Sequence, residues 1–174
     1  GEKRGYKDTG IKADGVAVRP NLLKLSMIPT YFRWENNELP KKTDKYSGMF
    51  RIDISNIGEL DDNISALILS FRLTISQSEA DSGNYNRYAT FSLESSSYSE
   101  LYKSKKQAYT IGAQVVNVAL VIKVNKTQLS NVRHMAVRYI NYGTGWMNAK
   151  IENIKLEQVI AGEPEIPTAY IPHV

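Results

Sequence analysis

The sequence predicts an all-β protein built as an antiparallel two-sheet β-sandwich of the jelly-roll type. Three observations predict it: apolar and polar residues alternate in several segments, turn-forming residues separate those segments, and no stretch of a dozen residues carries a helical stripe. Alternation with one polar face is typical of antiparallel sheets that each bury a single face. About seven to nine short strands with turns at this spacing indicate a sandwich or barrel.

The clearest alternation runs over residues 64–76. Every second side chain there is large and apolar, and this set is predicted to face the core: Leu67, Leu69, Phe71, Leu73 and Ile75. The opposite face carries Ala66, Ser70, Arg72, Thr74 and, as its one large apolar exception, Ile68. A helix would scatter the leucines around its circumference, whereas a strand brings them to one side.

Two further segments repeat this pattern. Residues 115–124 are predicted to turn inward Val116, Val118, Leu120, Ile122 and Val124, and outward Asn117, Ala119 and Lys123. Residues 87–93 are predicted to turn inward Ala89, Phe91 and Leu93, and outward Tyr88, Thr90 and Ser92. Segments 49–54, 132–140 and 146–156 complete the expected strands, and segments 15–19 and 31–35 are additional candidates.

The two ends differ from the middle in composition. Residues 1–20 are polar and contain glycine, which predicts a linker or edge segment before a sandwich domain over residues 21–161. Residues 162–174 hold 3 of the 6 prolines. Because proline cannot donate to a β-ladder, this stretch is expected to be an extended strap pinned by Tyr170 and Ile171, with a flexible exit linker as the alternative. The chain begins with Gly1 rather than methionine, so we expect more chain upstream.

Composition excludes several classes of function. The chain has 174 residues, a net charge of +4 and no cysteine, which rules out disulfides and thiol chemistry. Its basic residues are scattered rather than gathered in one stripe, which argues against nucleic-acid binding. The run Lys103-Ser104-Lys105-Lys106 is typical of a solvated turn, with an acidic cell-surface polymer as an alternative partner. No apolar run approaches the roughly 18 residues that membrane insertion requires.

No catalytic motif is present, and the chain is predicted not to be an enzyme. His134 and His173 are the 2 histidines, and neither stands in a nucleophile or zinc motif. A glycosidase needs two facing carboxylates. Acids that fall in or near strands are Asp53, Glu94, Glu152 and Glu157, but any chain of this size carries such residues.

The aromatic content suggests a sugar-binding surface. Sugars stack their C–H faces on aromatic rings and offer hydroxyls to planar polar groups. The chain has 11 tyrosines and 2 tryptophans, and several stand next to turns or on the polar face of a strand. If the strands are neighbours, we expect one polar surface from Arg72, Tyr88 and Asn117, with His134 and Arg138 as further candidates. The other expected location of the site is the loop tips, where Tyr85, Tyr142 and Trp146 stand next to turns. The alternative is that these tyrosines reflect the enrichment of the residue in strands.

The last third of the chain resembles a known family. The segment Trp146-Met147-Asn148-Ala149-Lys150-Ile151-Glu152-Asn153-Ile154-Lys155-Leu156-Glu157, then Gly162, Tyr170 and Pro172, is similar to the closing strand of carbohydrate-binding-module-like jelly-rolls. Such modules occur in tail and baseplate proteins of phages that infect Gram-positive bacteria, including accessory baseplate proteins of lactococcal phages. The run Asn21-Leu22-Leu23 resembles the opening of these modules. Four residues separate Glu157 from Gly162 where the family usually has one.

The resemblance implies a non-catalytic module in the virion that recognises host cell-wall polysaccharide and joins other baseplate proteins through an upstream region. It implies no cofactor, except that related modules often hold a structural calcium, which here would lie towards Glu157. Two alternatives remain at this point: a structural or protein-docking module of the tail, and a sugar-binding appendage of a bacterial cell-wall hydrolase.

Overall fold

The computed structural model describes residues 9–13, 15–24, 48–79, 87–109, 114–141 and 146–171. Within them the strands are β1 (Lys12–Ala13), β2 (Val16–Ala17), β3 (Gly48–Asp53), β4 (Ile64–Glu79), β5 (Arg87–Glu94), β6 (Glu100–Lys103), β7 (Gln107–Ala108), β8 (Gln114–Lys123), β9 (His134–Asn141) and β10 (Trp146–Ile160). One short α-helix, α1 (Lys126–Leu129), occurs in the described part of the chain. No helix there is long and apolar enough to cross a membrane.

The main strands form two antiparallel sheets. The three-stranded sheet has the order β10-β4-β8, and the five-stranded sheet has the order β3-β9-β5-β6, with β7 pairing β5. The six longest strands alternate between the two sheets along the chain, as in a jelly roll. The all-β sandwich predicted from the alternation is therefore present.

The core lies between the inner faces of the two sheets. One buried cluster takes residues from both sheets, and its most deeply buried members include Leu67, Leu69, Leu73, Phe91 and Leu93. The inward residues predicted for β4, β5 and β8 belong to this cluster or pack against it, wherever their side chains are described. Alternate side chains of neighbouring antiparallel strands share a face, so each sheet contributes one apolar surface.

The outer face of β4 is apolar at one end. Ala66 and Ile68 are buried there beside Val159 of β10, with Val121 of β8 packed against them. This second cluster accounts for Ile68, the apolar exception on the predicted polar face.

The short strands β6 and β7 are the part of the fold that the alternating sequence pattern did not predict. β6 has 4 residues and β7 has 2, too few to display a period of two. The candidate segment 15–19 contains β2, which pairs with β1 in a two-stranded ribbon. The candidate segment 31–35 lies outside the described residues.

The chain turns sharply after β10 and continues as the strap, residues 162–171. The turn is closed by the amide of Glu163, which donates to the carbonyl of Ile160 at 2.9 Å. Gly162 has a φ of +91°, a left-handed conformation that glycine adopts at no steric cost. The strap then runs over the outer face of the three-stranded sheet.

Arg19 fastens the first part of the strap. Its guanidinium is buried and donates to the Glu157 carboxylate at 3.0 Å and to the carbonyl of Ile166 at 2.9 Å. A further short hydrogen bond reaches the carbonyl of Pro164. Arg19 falls within the stretch predicted to be a linker or edge segment, and in the fold it lies under the strap.

Lys155 and Glu157 fasten the second part. The ammonium of Lys155 donates to the Thr168 hydroxyl at 2.8 Å and to the carbonyl of Ala169 at 2.7 Å. The Thr168 amide donates to Glu157 Oε1 at 3.0 Å. The strap is therefore held by buried polar contacts, whereas the ring of Tyr170, which was expected to pin it, is 44% exposed.

Candidate functional site

The fold separates the predicted sugar-binding residues onto opposite sides of the molecule. Arg72 and Asn117 are direct partners in the β4–β8 register, on the outer face of the three-stranded sheet. Tyr88, His134 and Arg138 lie on the outer face of the five-stranded sheet. The prediction that these residues form a single surface is therefore wrong. When two sheets pack through their apolar faces, their polar faces point in opposite directions.

The remaining predicted positions are less fully described. Tyr85 and Tyr142 lie outside the described residues. Trp146 begins β10, where it pairs with Glu79 in the register, and its side chain lies outside the description.

Arg72 and Asn117 line a cleft between the sheet and the strap, which we call the strap cleft. Its volume is about 380 Å³, within the range of small-ligand sites. Asn153 of β10 and Tyr170 of the strap also line it. The sequence predicts no ligand-binding role for Tyr170, since nothing local places it beside Arg72.

A bulge in β10 shapes one wall of the strap cleft. The β4–β10 register shifts between Glu152 and Lys155, and Asn153 within that shift has a φ of +55°. Asparagine tolerates this left-handed conformation better than most residues, and an inserted residue bends its strand. The strap wall is positioned by Arg19, Lys155 and Glu157, as described above.

The polar groups of the strap cleft are available for a ligand. The side chains of Arg72, Asn117 and Asn153 are exposed and have no hydrogen-bond partner among the described residues. The half-exposed ring of Tyr170 stands beside them. A ring next to a guanidinium and two amides is the combination that stacks on a sugar and binds its hydroxyls.

The outer face of the five-stranded sheet carries a second aromatic group, the Tyr98 cluster, formed by Tyr98, His134, Arg51, Glu94 and Arg138. The Tyr98 ring is 58% exposed and stacks on His134 with centroids 4.8 Å apart, and the Arg51 guanidinium lies 4.9 Å from its centroid. Tyr98 has a φ of +66°, which is uncommon for a residue other than glycine. The residues around it are mostly serines, a composition typical of an exposed turn.

The charged members of the Tyr98 cluster bind one another. Arg51 donates to both oxygens of the buried Glu94 carboxylate, at 2.6 Å and 3.2 Å, and this hydrogen bonding raises the pKa of Arg51 above its ordinary value. Arg138 lies 3.6 Å from Glu94 and donates to the Ser92 hydroxyl at 3.1 Å. Because these groups already have partners, they offer a ligand less than the strap cleft does.

Tyr88 is a poor platform for a sugar. It is buried, and the ammonium of Lys106 lies 4.4 Å from the centroid of its ring. A cation above an aromatic face is attracted by the ring quadrupole and takes the place that a sugar would use.

The surroundings of Glu157 do not fit a calcium ion. Calcium takes six to eight oxygen ligands, usually with several carboxylates. Here the Glu157 carboxylate already faces two cations, Arg19 at 3.0 Å and Lys155 at 3.7 Å. No group of three or more metal-binding side chains occurs within the described part of the chain.

Lys155 makes stability depend on pH in the alkaline range. Its side chain is fully buried, and burial lowers its pKa below 10.5, partly offset by attraction to Glu157. At pH values between the pKa of Lys155 in the folded protein and its pKa in the unfolded chain, the unfolded chain therefore binds more protons. As pH rises through that window, Lys155 raises the free energy of unfolding. We expect urea unfolding of wild type and Lys155→Met to show this rise only in wild type. Equal pH slopes would contradict it.

Comparison with known proteins gives a distant structural likeness. No protein-family model matches the chain, and no curated protein is recognisably similar to it. Among solved structures, the chain is similar to one in the tripod from the baseplate of bacteriophage Tuc2009, with 14% sequence identity and a TM-score of 0.47. The match covers 87% of this chain and 59% of that chain, so this chain spans less than two thirds of its neighbour's length.

Proposed function

We propose that this protein is a non-catalytic carbohydrate-binding module of a phage tail or baseplate adhesion protein, and that it recognises host cell-wall saccharide in the strap cleft. The observation that carries the proposal is the exposed Tyr170 ring beside the side chains of Arg72, Asn117 and Asn153, for which the described residues provide no hydrogen-bond partner. The ring stacks on a sugar face, and the guanidinium and amides bind its hydroxyls.

The phage setting is supported by the resemblance of residues 146–157 to the closing strand of baseplate modules. In that setting the module lies on the outside of the virion, and its partners are the host polysaccharide and other baseplate proteins. An open cleft with one ring gives modest affinity per site. Many copies on one virion raise the avidity without new contacts.

The carboxylates support a binding role over hydrolysis. Glycosidases keep two carboxyl groups facing the scissile bond. The buried Glu94 is held by Arg51, and the buried Glu157 by Arg19 and Lys155, so both are committed to ion pairs. A module of this kind binds its saccharide and releases it unchanged.

Calorimetric titration with purified host cell-wall saccharides tests the site. Tyr170→Ala is expected to weaken binding about tenfold, the value of one ring contact of about 1.4 kcal/mol. Arg72→Ala is expected to weaken it by a similar factor through lost hydrogen bonds. Tyr98→Ala is the matched control, because it removes a strongly exposed tyrosine on the opposite face and should leave affinity unchanged.

The two tyrosine variants distinguish the competing outcomes. If Tyr98→Ala lost saccharide binding and Tyr170→Ala kept it, the binding site would lie on the five-stranded sheet instead of in the strap cleft. Failure of every authentic host saccharide to bind wild type would overturn the proposed function. Capture of a baseplate protein through Tyr170 in that case would identify a docking module instead.

A further inference from the structure

A groove next to the strap cleft concentrates positive charge. Lys103, Lys105 and Lys106 line one wall, from the edge of the five-stranded sheet, and Lys123 of β8 lines the other. We call it the lysine groove; its volume is about 640 Å³. Among the described residues of its lining, Glu165 is the one carboxylate. Because the chain as a whole carries a charge of only +4, this is a marked local excess.

The two walls are held in a fixed relation by buried and bridging hydrogen bonds. Ser104 is buried between the lysines, where its amide donates to the carbonyl of Phe91 at 2.8 Å and its hydroxyl accepts from the Phe91 amide at 3.2 Å. The Gln107 side chain bridges the sheets, donating to the Asn117 carbonyl and accepting from the Ala119 amide, both at 2.9 Å. The lysines therefore extend from a rigid frame.

Most of these ammonium groups are weakly engaged, whereas that of Lys106 lies over the Tyr88 ring, 4.4 Å from its centroid. Lys103 lies 3.8 Å from Glu100, and Lys123 lies 3.8 Å from Glu165, both as exposed pairs. Exposed pairs of this kind contribute little stability and exchange readily with other anions. Lys105 is exposed, and its ammonium has no partner among the described residues.

The floor of the lysine groove is apolar. It is formed by Tyr102 and by Val121 and Ala119 of β8. Ala119 also lines the strap cleft, and Asn117 of that cleft precedes it on the same face of β8. An extended polymer can thus contact both places, with C–H surface on the floor and charged groups at the lysines.

We propose that the lysine groove is an anion-binding site that takes the phosphate or carboxylate groups of a polyanionic glycan. The anion site stands independently, whereas its assignment to a glycan rests on the proposed function. A nucleic acid fits less well, because its binders combine a longer basic track with several stacking rings, whereas the residues described in the groove's lining include one ring and no arginine.

Binding of poly(glycerol phosphate) to the full chain, followed by calorimetry, tests the proposal. Affinity is expected to fall steeply between about 50 mM and about 200 mM salt, because exposed charges are screened. The double variant Lys105→Gln/Lys123→Gln should weaken binding at least about tenfold. The matched control Lys12→Gln/Lys24→Gln removes the same charge from exposed lysines outside the groove and should change affinity less than about twofold.

Further binding measurements identify the preferred anion and separate the lysine groove from the strap cleft. Polygalacturonate replaces phosphate by carboxylate, and its affinity relative to poly(glycerol phosphate) identifies which oxyanion is preferred. Tyr170→Ala should lose neutral host saccharide yet keep a short glycerol phosphate oligomer, so failure of the strap cleft and failure of the groove are separable. Equal losses of affinity in the two double lysine variants, or no binding of either polyanion at low salt, would contradict an anion-binding site in the lysine groove. Tighter binding of oligothymidylate through the same lysines would overturn the glycan assignment.

Discussion

Replacing Glu157 by alanine is expected to lower the free energy of unfolding by about 3–5 kcal/mol. The carboxylate is fully buried between Arg19 and Lys155, which are buried as well. Removing it leaves Lys155 without its paired carboxylate and Arg19 with only the more distant Glu163, at 3.9 Å, and takes away the acceptor for the Thr168 amide. Chemical denaturation monitored by circular dichroism measures the loss.

The matched control for this variant is Glu100→Ala. Glu100 also pairs with a lysine, Lys103 at 3.8 Å, but both side chains are exposed. Its loss is expected to cost less than about 1 kcal/mol. Hydrogen exchange gives a second measure, because Glu157→Ala should remove protection from the Thr168 amide. A Glu157→Ala protein as stable as Glu100→Ala would show that the buried network does not hold the strap.

The variant Lys155→Met measures what Lys155 alone contributes to this buried ion network. The variant removes one cation and leaves Glu157 paired with Arg19, so it is expected to cost less than Glu157→Ala. Burying a charge is costly unless it is paired, and one orphan oxygen, Glu157 Oε2, already lacks a hydrogen-bond partner. Because Tyr170 follows the segment that Lys155 fastens, Glu157→Ala should also weaken saccharide binding at the strap cleft.

Phe91→Ala is expected to destabilise the protein by about 3–5 kcal/mol. The ring is fully buried in the core between the two sheets, in the cluster that also includes Leu69 and Leu93. Alanine leaves a cavity that close-packed neighbours cannot fully collapse. Urea unfolding should show a lower midpoint with little change in the slope, since the same surface is exposed on unfolding.

Leu101→Ala is the control for the core variant. Leu101 is an apolar residue of β6 with a largely exposed side chain. Its truncation is expected to change stability by no more than about 0.5 kcal/mol. A loss below about 1 kcal/mol for Phe91→Ala would contradict the packing of β5 against the three-stranded sheet.

Much of the fold could be predicted because a strand has a period of two. The alternation in residues 64–76 and 115–124 assigned Leu67, Leu69, Val118 and Leu120 to the core, and all four are buried. Such patterning needs no knowledge of the partner strand, since each strand must hide its own apolar face. The expected outward positions Arg72 and Asn117 are exposed for the same reason.

The candidate site was only partly predictable. Arg72 and Asn117 were expected to share a surface, and they are paired. Tyr88 was expected there too, yet β5 belongs to the other sheet. Alternation assigns a side chain to the inner or outer face of its own strand, and carries no information about which sheet that strand joins.

Long-range pairing decided the rest. Arg19 bonds to Glu157, which is 138 residues away in the sequence. Lys105 and Lys123, from different sheets, line the same groove. By itself, the sequence determined the strand class and the buried stripes, because these follow from local periodicity. Only the tertiary structure decided the strap cleft, the buried ion network and the lysine groove, because each depends on contacts between segments whose local patterns are unrelated.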